Sequence, residues 1–122
     1  MDFWFLMAGA FLSLAGMVFH GYIEGRIYME NINSSDMEPL TKLLSFVSWH
    51  VFTIFLFVSG IALIYIAYNP DFRIAAYPVI GVNVLGAALF VFLGLFNHKV
   101  LLKMPGAYLM GATAAFAWLG IS

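Results

Sequence analysis

The stretch Leu43–Tyr68, LLSFVSWHVFTIFLFVSGIALIYIAY, contains no Asp, Glu, Lys or Arg, and it decides the fold class. A helix needs about 20 apolar residues to cross the hydrocarbon core of a bilayer. The whole chain has the same character, with 64% hydrophobic and 9% charged residues, whereas a soluble domain carries about 25% charged residues. The sequence therefore predicts an integral membrane protein and excludes an ordinary water-soluble fold.

Three further apolar stretches accompany this one, so the sequence predicts a single transmembrane domain over residues 1–122. The predicted spans are about 3–23, 43–68, 74–96 and 105–121, of which the last is the shortest. Because lipid cannot satisfy the open edges of a sheet, each span is expected to be helical. The fold-class prediction is an all-α integral membrane protein built as a four-helix transmembrane bundle.

The connection between the first two spans, about 24–42, is the longest and the most acidic of the three. Within it, Ser35-Asp36-Met37-Glu38 matches a capping box, which predicts that the second helix begins near Asp36. The first helix is expected to continue past Glu24. Residues 24–42 would then form a helical hairpin that projects into water, with residues 31–34 at its tip.

The orientation prediction follows from an uneven distribution of lysine and arginine. The first and third loops carry Arg26, Lys42, Lys99 and Lys103, whereas the opposite side carries only Arg73. Cytoplasmic loops are enriched in these residues, so both termini are expected on the outer side. The start, Met1-Asp2-Phe3-Trp4, lacks the positive region of a cleaved signal peptide, and the first span is therefore expected to stay in the mature protein.

The layout is similar to that of small four-helix membrane proteins of bacteria, and this resemblance implies a place in the bacterial inner membrane. The likeness is architectural and carries no motif, so it implies no functional residues. The chain contains no cysteine, which excludes disulfides and thiolate metal sites. No basic run indicates nucleic acid as a partner.

The three histidines lie on three different spans, toward one membrane face, and each lies on a stripe expected to face the bundle interior. Small residues mark such stripes, because they let helices approach closely in lipid. On the first span the stripe comprises Gly9, Ser13, Gly16, His20 and, one turn further, Glu24. On the second it comprises His50, Thr53, Phe57 and Gly60, and on the third Asn83, Ala87, Phe90, Gly94 and His98.

This pattern leads to the hypothesis of a shared metal site formed by His20, His50 and His98. Neutral imidazole is the commonest protein ligand of zinc, copper and iron. Glu24 lies four residues after His20 on the same helical face and is the predicted fourth ligand. Asn97 is the predicted orienting partner and Trp49 the predicted ring that stacks on a cofactor. Haem b, clamped by two histidines from different helices, is the related alternative.

The predicted function is binding of a metal ion or haem, for redox chemistry or metal handling. Two alternatives stay open at this point: a non-catalytic accessory subunit of a larger membrane complex, and a small carrier or lipid-binding protein. The histidines could equally have a structural or interfacial role. The expected partners are the lipid bilayer and a larger complex or a second copy of the chain. No nucleophile–base constellation or phosphate-binding loop assigns an enzymatic reaction.

Overall fold

The computed structural model describes all 122 residues, and they form helices and turns with no strand. The α-helices are α1 (Phe3–Val18), α2 (Gly25–Asn33), α3 (Pro39–Tyr68), α4 (Ala76–Leu95) and α5 (Pro105–Ile121). A π-helical segment, Phe19–Glu24, joins α1 directly to α2, and short 3-10 helices at Pro70–Ala75 and Lys99–Lys103 occupy the other two connections. The all-α prediction is confirmed.

Three continuous helical stretches are long and apolar enough to cross a membrane, namely Phe3–Asn33, Pro39–Tyr68 and Pro70–Leu95. The last helix, α5, has 17 residues, which gives a length of about 25 Å at 1.5 Å per residue. That length falls slightly short of a hydrocarbon core of roughly 30 Å. The chain is therefore all-helical, with three stretches long and apolar enough to cross a membrane, and α5 is shorter than each of these stretches.

The first connection joins two helical arms, and its second arm begins later than the capping box suggests. The first helix continues past Glu24 and ends at Asn33. The prediction of a start near Asp36 is wrong, because α3 begins at Pro39. Ser35 Oγ donates a hydrogen bond to the Ile32 carbonyl (2.6 Å), so Ser35 closes α2 instead of capping α3. Proline suits the first helical position, where an N–H would have no partner.

The helices pack in an order that differs from their order in the chain. Helix α1 packs between α3 and α5, and α4 packs against α5. Although they are consecutive, α3 and α4 make few contacts with each other. Both termini lie at the same end, because the Asp2 amide donates to the Gly120 carbonyl (2.6 Å). Which side of the membrane this end faces stays a prediction.

Two hydrogen bonds between buried side chains or backbone groups connect neighbouring helices in their apolar middle. Ser13 Oγ of α1 donates to the Leu56 carbonyl of α3 (2.8 Å). Asn83 Nδ2 of α4 donates to Ser59 Oγ of α3 (3.3 Å). In lipid such bonds are each worth about 1 kcal/mol or less. The Asn83–Ser59 bond links the side chains of α3 and α4. Along the bundle it lies between the loop that connects these two helices and the end that carries the hairpin.

The small-residue stripes are confirmed on the first span and corrected on the second. Gly9, Ser13 and Gly16 are buried. Phe57 is 48% exposed, so its predicted interior position is wrong. The buried face of α3 instead includes Ser59 and Gly60. It is set by a close approach to α1, since a Cβ atom on Gly60 would lie 2.6 Å from the Leu14 side chain.

Candidate ligand-binding site

His20 lies in the π-helical segment Phe19–Glu24, and its side chain is half-buried. Glu24 is the last residue of the same segment and is also half-buried. Single π-helical turns within α-helices are rare and are frequent at functional sites. The irregular turn therefore coincides with two of the residues that the sequence predicted as ligands.

His20 and Trp49 exchange two hydrogen bonds between the first helix and α3. The Trp49 indole Nε1–H donates to the His20 carbonyl oxygen (2.9 Å). In return, His20 Nε2 lies 3.0 Å from the Trp49 carbonyl oxygen. A carbonyl oxygen only accepts, so Nε2 carries the proton and donates. This double contact fixes both the position and the tautomer of the imidazole.

The other ring nitrogen of His20 is left free for a ligand. In a neutral imidazole with Nε2 protonated, Nδ1 is an acceptor of hydrogen bonds and a potential metal ligand. No fully buried side-chain nitrogen or oxygen of the protein lacks a hydrogen-bond partner. Because Nδ1 has no such partner within the chain, it must lie on an accessible surface. In the neutral ring, Nδ1 therefore presents an accessible lone pair.

Aromatic rings hold the imidazole in this orientation. The His20 and Trp49 rings are stacked, with centroids 4.1 Å apart and an interplanar angle of 10°. Tyr28 stacks on Trp49 as well, at 4.2 Å and 16°, and must therefore cover the opposite face of the indole. Phe52 meets the imidazole edge-on at 4.8 Å. Since both indole faces are covered by protein rings, Trp49 has no free face for the predicted stacking on a cofactor.

Two glycines allow Trp49 to reach the first helix. A Cβ atom on Gly25 would lie 3.0 Å from Trp49 Nε1 and 3.2 Å from the His20 carbonyl oxygen. A Cβ atom on Gly21 would lie 2.8 Å from Thr53 Cγ2. Any larger residue at these positions would push the first helix away from α3. The hydrogen bond from the indole to the His20 carbonyl thus depends on the glycines that directly follow His20 and Glu24.

His50 is next to Trp49 in the chain but has different surroundings. Its Nδ1 atom lies 3.3 Å from Thr53 Oγ1, and its ring meets Phe46 edge-on with centroids 4.6 Å apart. Both neighbours belong to α3 itself. The half-buried ring is therefore held along its own helix and shares no cavity wall with His20.

Asn97 and His98 terminate α4. Asn97 has a positive φ of 80°, and the His98 amide donates to the Leu93 carbonyl (3.2 Å). This arrangement is a Schellman-type helix end, in which Gly or Asn is the preferred residue for the left-handed conformation. Asn97 thus has a conformational role, and its role as an orienting partner stays a prediction. The His98 side chain is exposed at the end of the helix.

The structure does not bring the predicted ligand set together. No group of three or more His, Cys, Asp or Glu side chains is placed to hold a metal ion. Of His20, His50, His98 and Glu24, only His20 and Glu24 line a common cavity. A metal site that uses all four residues stays a prediction, and it would need a rearrangement of the bundle.

The larger of two cavities that both His20 and Glu24 line is a cleft of about 370 Å³ between α3 and α4. Trp49 and Phe52 form its α3 wall, and Gly86, Leu89 and Phe90 form its α4 wall. The first helix, the third connection and α5 complete it through His20, Glu24, Leu101, Met104, Gly106 and Met110. His20 and Glu24 are the ionisable residues of this cleft, and the rest of its lining is mostly apolar. The arrangement can therefore bind a molecule that is largely apolar and has one polar end.

Several lining residues were not singled out by the sequence analysis. Phe52 and Met110 carry no distinguishing pattern among the many apolar residues of the chain. The sequence did contain one usable signal. Gly21 directly follows His20 and Gly25 directly follows Glu24, and two such glycines indicate that another helix approaches closely beside these residues.

The indole N–H of Trp49 is expected to contribute to stability through its bond to the His20 carbonyl. Trp49→Phe removes the donor and keeps an aromatic ring, so we expect a loss of about 1 kcal/mol in the free energy of unfolding. Trp118→Phe is the matched control, because that ring is 53% exposed, and we expect it to change stability by less than about 0.5 kcal/mol. Unfolding titrations in mixed micelles measure both values. Equal losses in the two variants would contradict the proposed contact.

Comparison with known proteins assigns neither a family nor a function to this chain. No protein-family model, no curated protein and no solved structure matches this chain. The function of a protein depends on the residues of its site more than on its fold, and a helical bundle is compatible with many functions. The cleft and its two ionisable residues therefore carry the functional argument.

Proposed function

We propose that the protein binds an amphiphilic small molecule of the membrane in the cleft between α3 and α4. The observation that carries this proposal is a mostly apolar cavity with His20 and Glu24 as its ionisable residues. Small-molecule sites are typically concave and apolar, with a few polar groups that fix the orientation of the ligand. The cleft has this composition.

The size of the cleft supports the same proposal. Its volume of about 370 Å³ falls within the range of roughly 300–1,000 Å³ that is typical of ligand pockets. Such a volume accommodates a ring or a short chain with a polar end, and a longer tail would extend beyond it. We propose that such a tail lies against the outer surface of the bundle.

The packing of the helices supports entry from the bilayer. Helices α3 and α4 make few contacts, and Asn83–Ser59 is the side-chain hydrogen bond that links them. Leu89 on the cleft wall is 56% exposed. A lipophilic molecule would therefore reach His20 by moving sideways between the two helices, without crossing an aqueous phase.

Filling the cleft is expected to abolish binding. A Cβ atom on Gly106 would lie 3.5 Å from Phe90 Cζ, so a side chain added there enters the cleft. Gly106→Leu should lower retention of co-purifying lipophilic molecules about tenfold, because overpacking a filled site typically costs 1–3 kcal/mol. Mass spectrometry of organic extracts of purified protein measures the amount bound per chain.

Gly111→Leu is the matched control on the same helix, since a Cβ atom on Gly111 has no neighbour within 4 Å. It should retain the same molecules in the same amounts as the unmodified protein. Circular dichroism establishes that both variants are helical. Identical extracts from the unmodified protein and from Gly106→Leu would refute the proposed function.

A metal ion is a second candidate ligand, favoured by one observation: His20 and Glu24 line the same cleft, and the Nε2 atom of His20 is engaged by the Trp49 carbonyl. Two protein ligands and solvent or a bound molecule would complete its coordination. We expect elemental analysis to find metal in the unmodified protein and to find it lost in both His20→Ala and Glu24→Ala. A preparation without metal, or one in which His98→Ala has the same effect, would contradict this proposal.

A further inference from the structure

We infer that the polar end of the ligand is a hydroxyl group that donates a hydrogen bond, as in a long-chain alcohol or an alkylphenol. This inference rests on the proposed function, since it specifies what the cleft between α3 and α4 recognises. It follows from the hydrogen-bonding roles of the two ionisable side chains that line the cleft.

Both ionisable groups offered to the ligand are acceptors. The Nε2–H of His20 is used on the Trp49 carbonyl (3.0 Å), so the free Nδ1 atom of the neutral ring accepts. An ionised Glu24 carboxylate has no donor to offer. The indole N–H of Trp49, the other donor in the cleft wall, is used on the His20 carbonyl (2.9 Å). A ligand that binds here must therefore supply the proton of the hydrogen bond.

The same hydrogen-bonding roles disfavour a ligand whose polar end is anionic or can only accept hydrogen bonds. A phosphate, a sulfate or a carboxylate would face the Glu24 carboxylate, and neither His20 nor Trp49 has a free N–H to offer it. A methyl ether or an ester would leave both protein acceptors without a donor. Leaving buried polar groups unpaired weakens binding strongly.

An ammonium head fits less well than a hydroxyl. It brings three N–H donors to two acceptor groups in a mostly apolar cleft, whereas a hydroxyl brings one. Cations are also recognised through the faces of aromatic rings, of which tryptophan is the best. Both faces of Trp49 are covered, by His20 at 4.1 Å and by Tyr28 at 4.2 Å. A neutral hydroxyl leaves no donor unpaired.

Three probes with similar alkyl chains and different heads test the inference: 4-dodecylphenol, its methyl ether 4-dodecylanisole, and dodecylamine. The full chain is placed in lipid nanodiscs with Trp49 as the single tryptophan, through Trp4→Phe and Trp118→Phe. Trp49 lines the cleft, so its fluorescence reports occupancy. We expect the phenol to bind at least about tenfold more tightly than the ether or the amine, as one lost hydrogen bond to a charged group implies.

Two carboxylate variants locate the hydroxyl. Glu24→Gln should reduce the affinity for 4-dodecylphenol about tenfold, because hydrogen bonds to charged groups are stronger than those to amides. Glu30→Gln, an exposed carboxylate outside the cleft, should leave the affinity unchanged. Equal effects of the two substitutions would overturn the assignment of Glu24 as the acceptor.

The remaining outcomes separate this inference from the proposed function. Equal affinities for the phenol and its ether, or tightest binding of the amine, would overturn the hydroxyl head and keep the cleft as a binding site. A third outcome is that none of the three probes binds while Gly106→Leu still loses its lipid. This outcome would also overturn the hydroxyl head and keep the cleft as a binding site. Probe binding and lipid retention that are both unaffected by Gly106→Leu would overturn both proposals.

Discussion

The paired hydrogen bonds between His20 and Trp49 are the constraint on which the site depends. They join a π-helical turn of the first helix to α3 through two side-chain-to-carbonyl contacts of 2.9 and 3.0 Å. Gly25 leaves the space that this contact requires. The same pair also fixes the tautomer of the neutral imidazole, in which an engaged Nε2–H leaves Nδ1 as the hydrogen-bond acceptor. Packing and hydrogen-bonding role are thus fixed together.

The cleft exists because α4 packs on α5 and not on its chain neighbour α3. Near their connecting loop the two helices are joined, and Asn83 donates to Ser59 in the apolar middle of the bundle. Toward the hairpin end, Gly86 and Phe90 face a gap whose other wall is Trp49 and Phe52 of α3. A bundle in which consecutive helices packed side by side would close this gap. The order of packing, more than any single residue, creates a space next to His20.

Composition and apolar run length were sufficient to predict the fold class, because lipid permits so few spanning structures. The His20–Glu24 pair was also predictable, since four residues along a helix place two side chains on one face. The separate positions of His50 and His98, which do not line the cleft with that pair, were not predictable, because helix rotation depends on which neighbour each helix packs against. Phe57 illustrates this point, since Gly60 faces α1 and Ser59 contacts Asn83 of α4, which leaves Phe57 48% exposed. The role of Asn97 required its backbone conformation, which spacing along the sequence does not reveal.

The most direct test of this account is the protonation pattern of the His20 ring, measured by ¹⁵N NMR on histidine-labelled protein in a lipid bilayer. His50→Asn and His98→Asn variants assign the His20 signals. The account predicts a single neutral tautomer with the proton on Nε2 and an unprotonated Nδ1, stable while the exposed His98 ring exchanges freely with water. A His20 ring with its proton on Nδ1, or one that exchanges between tautomers as freely as His98, would contradict the account.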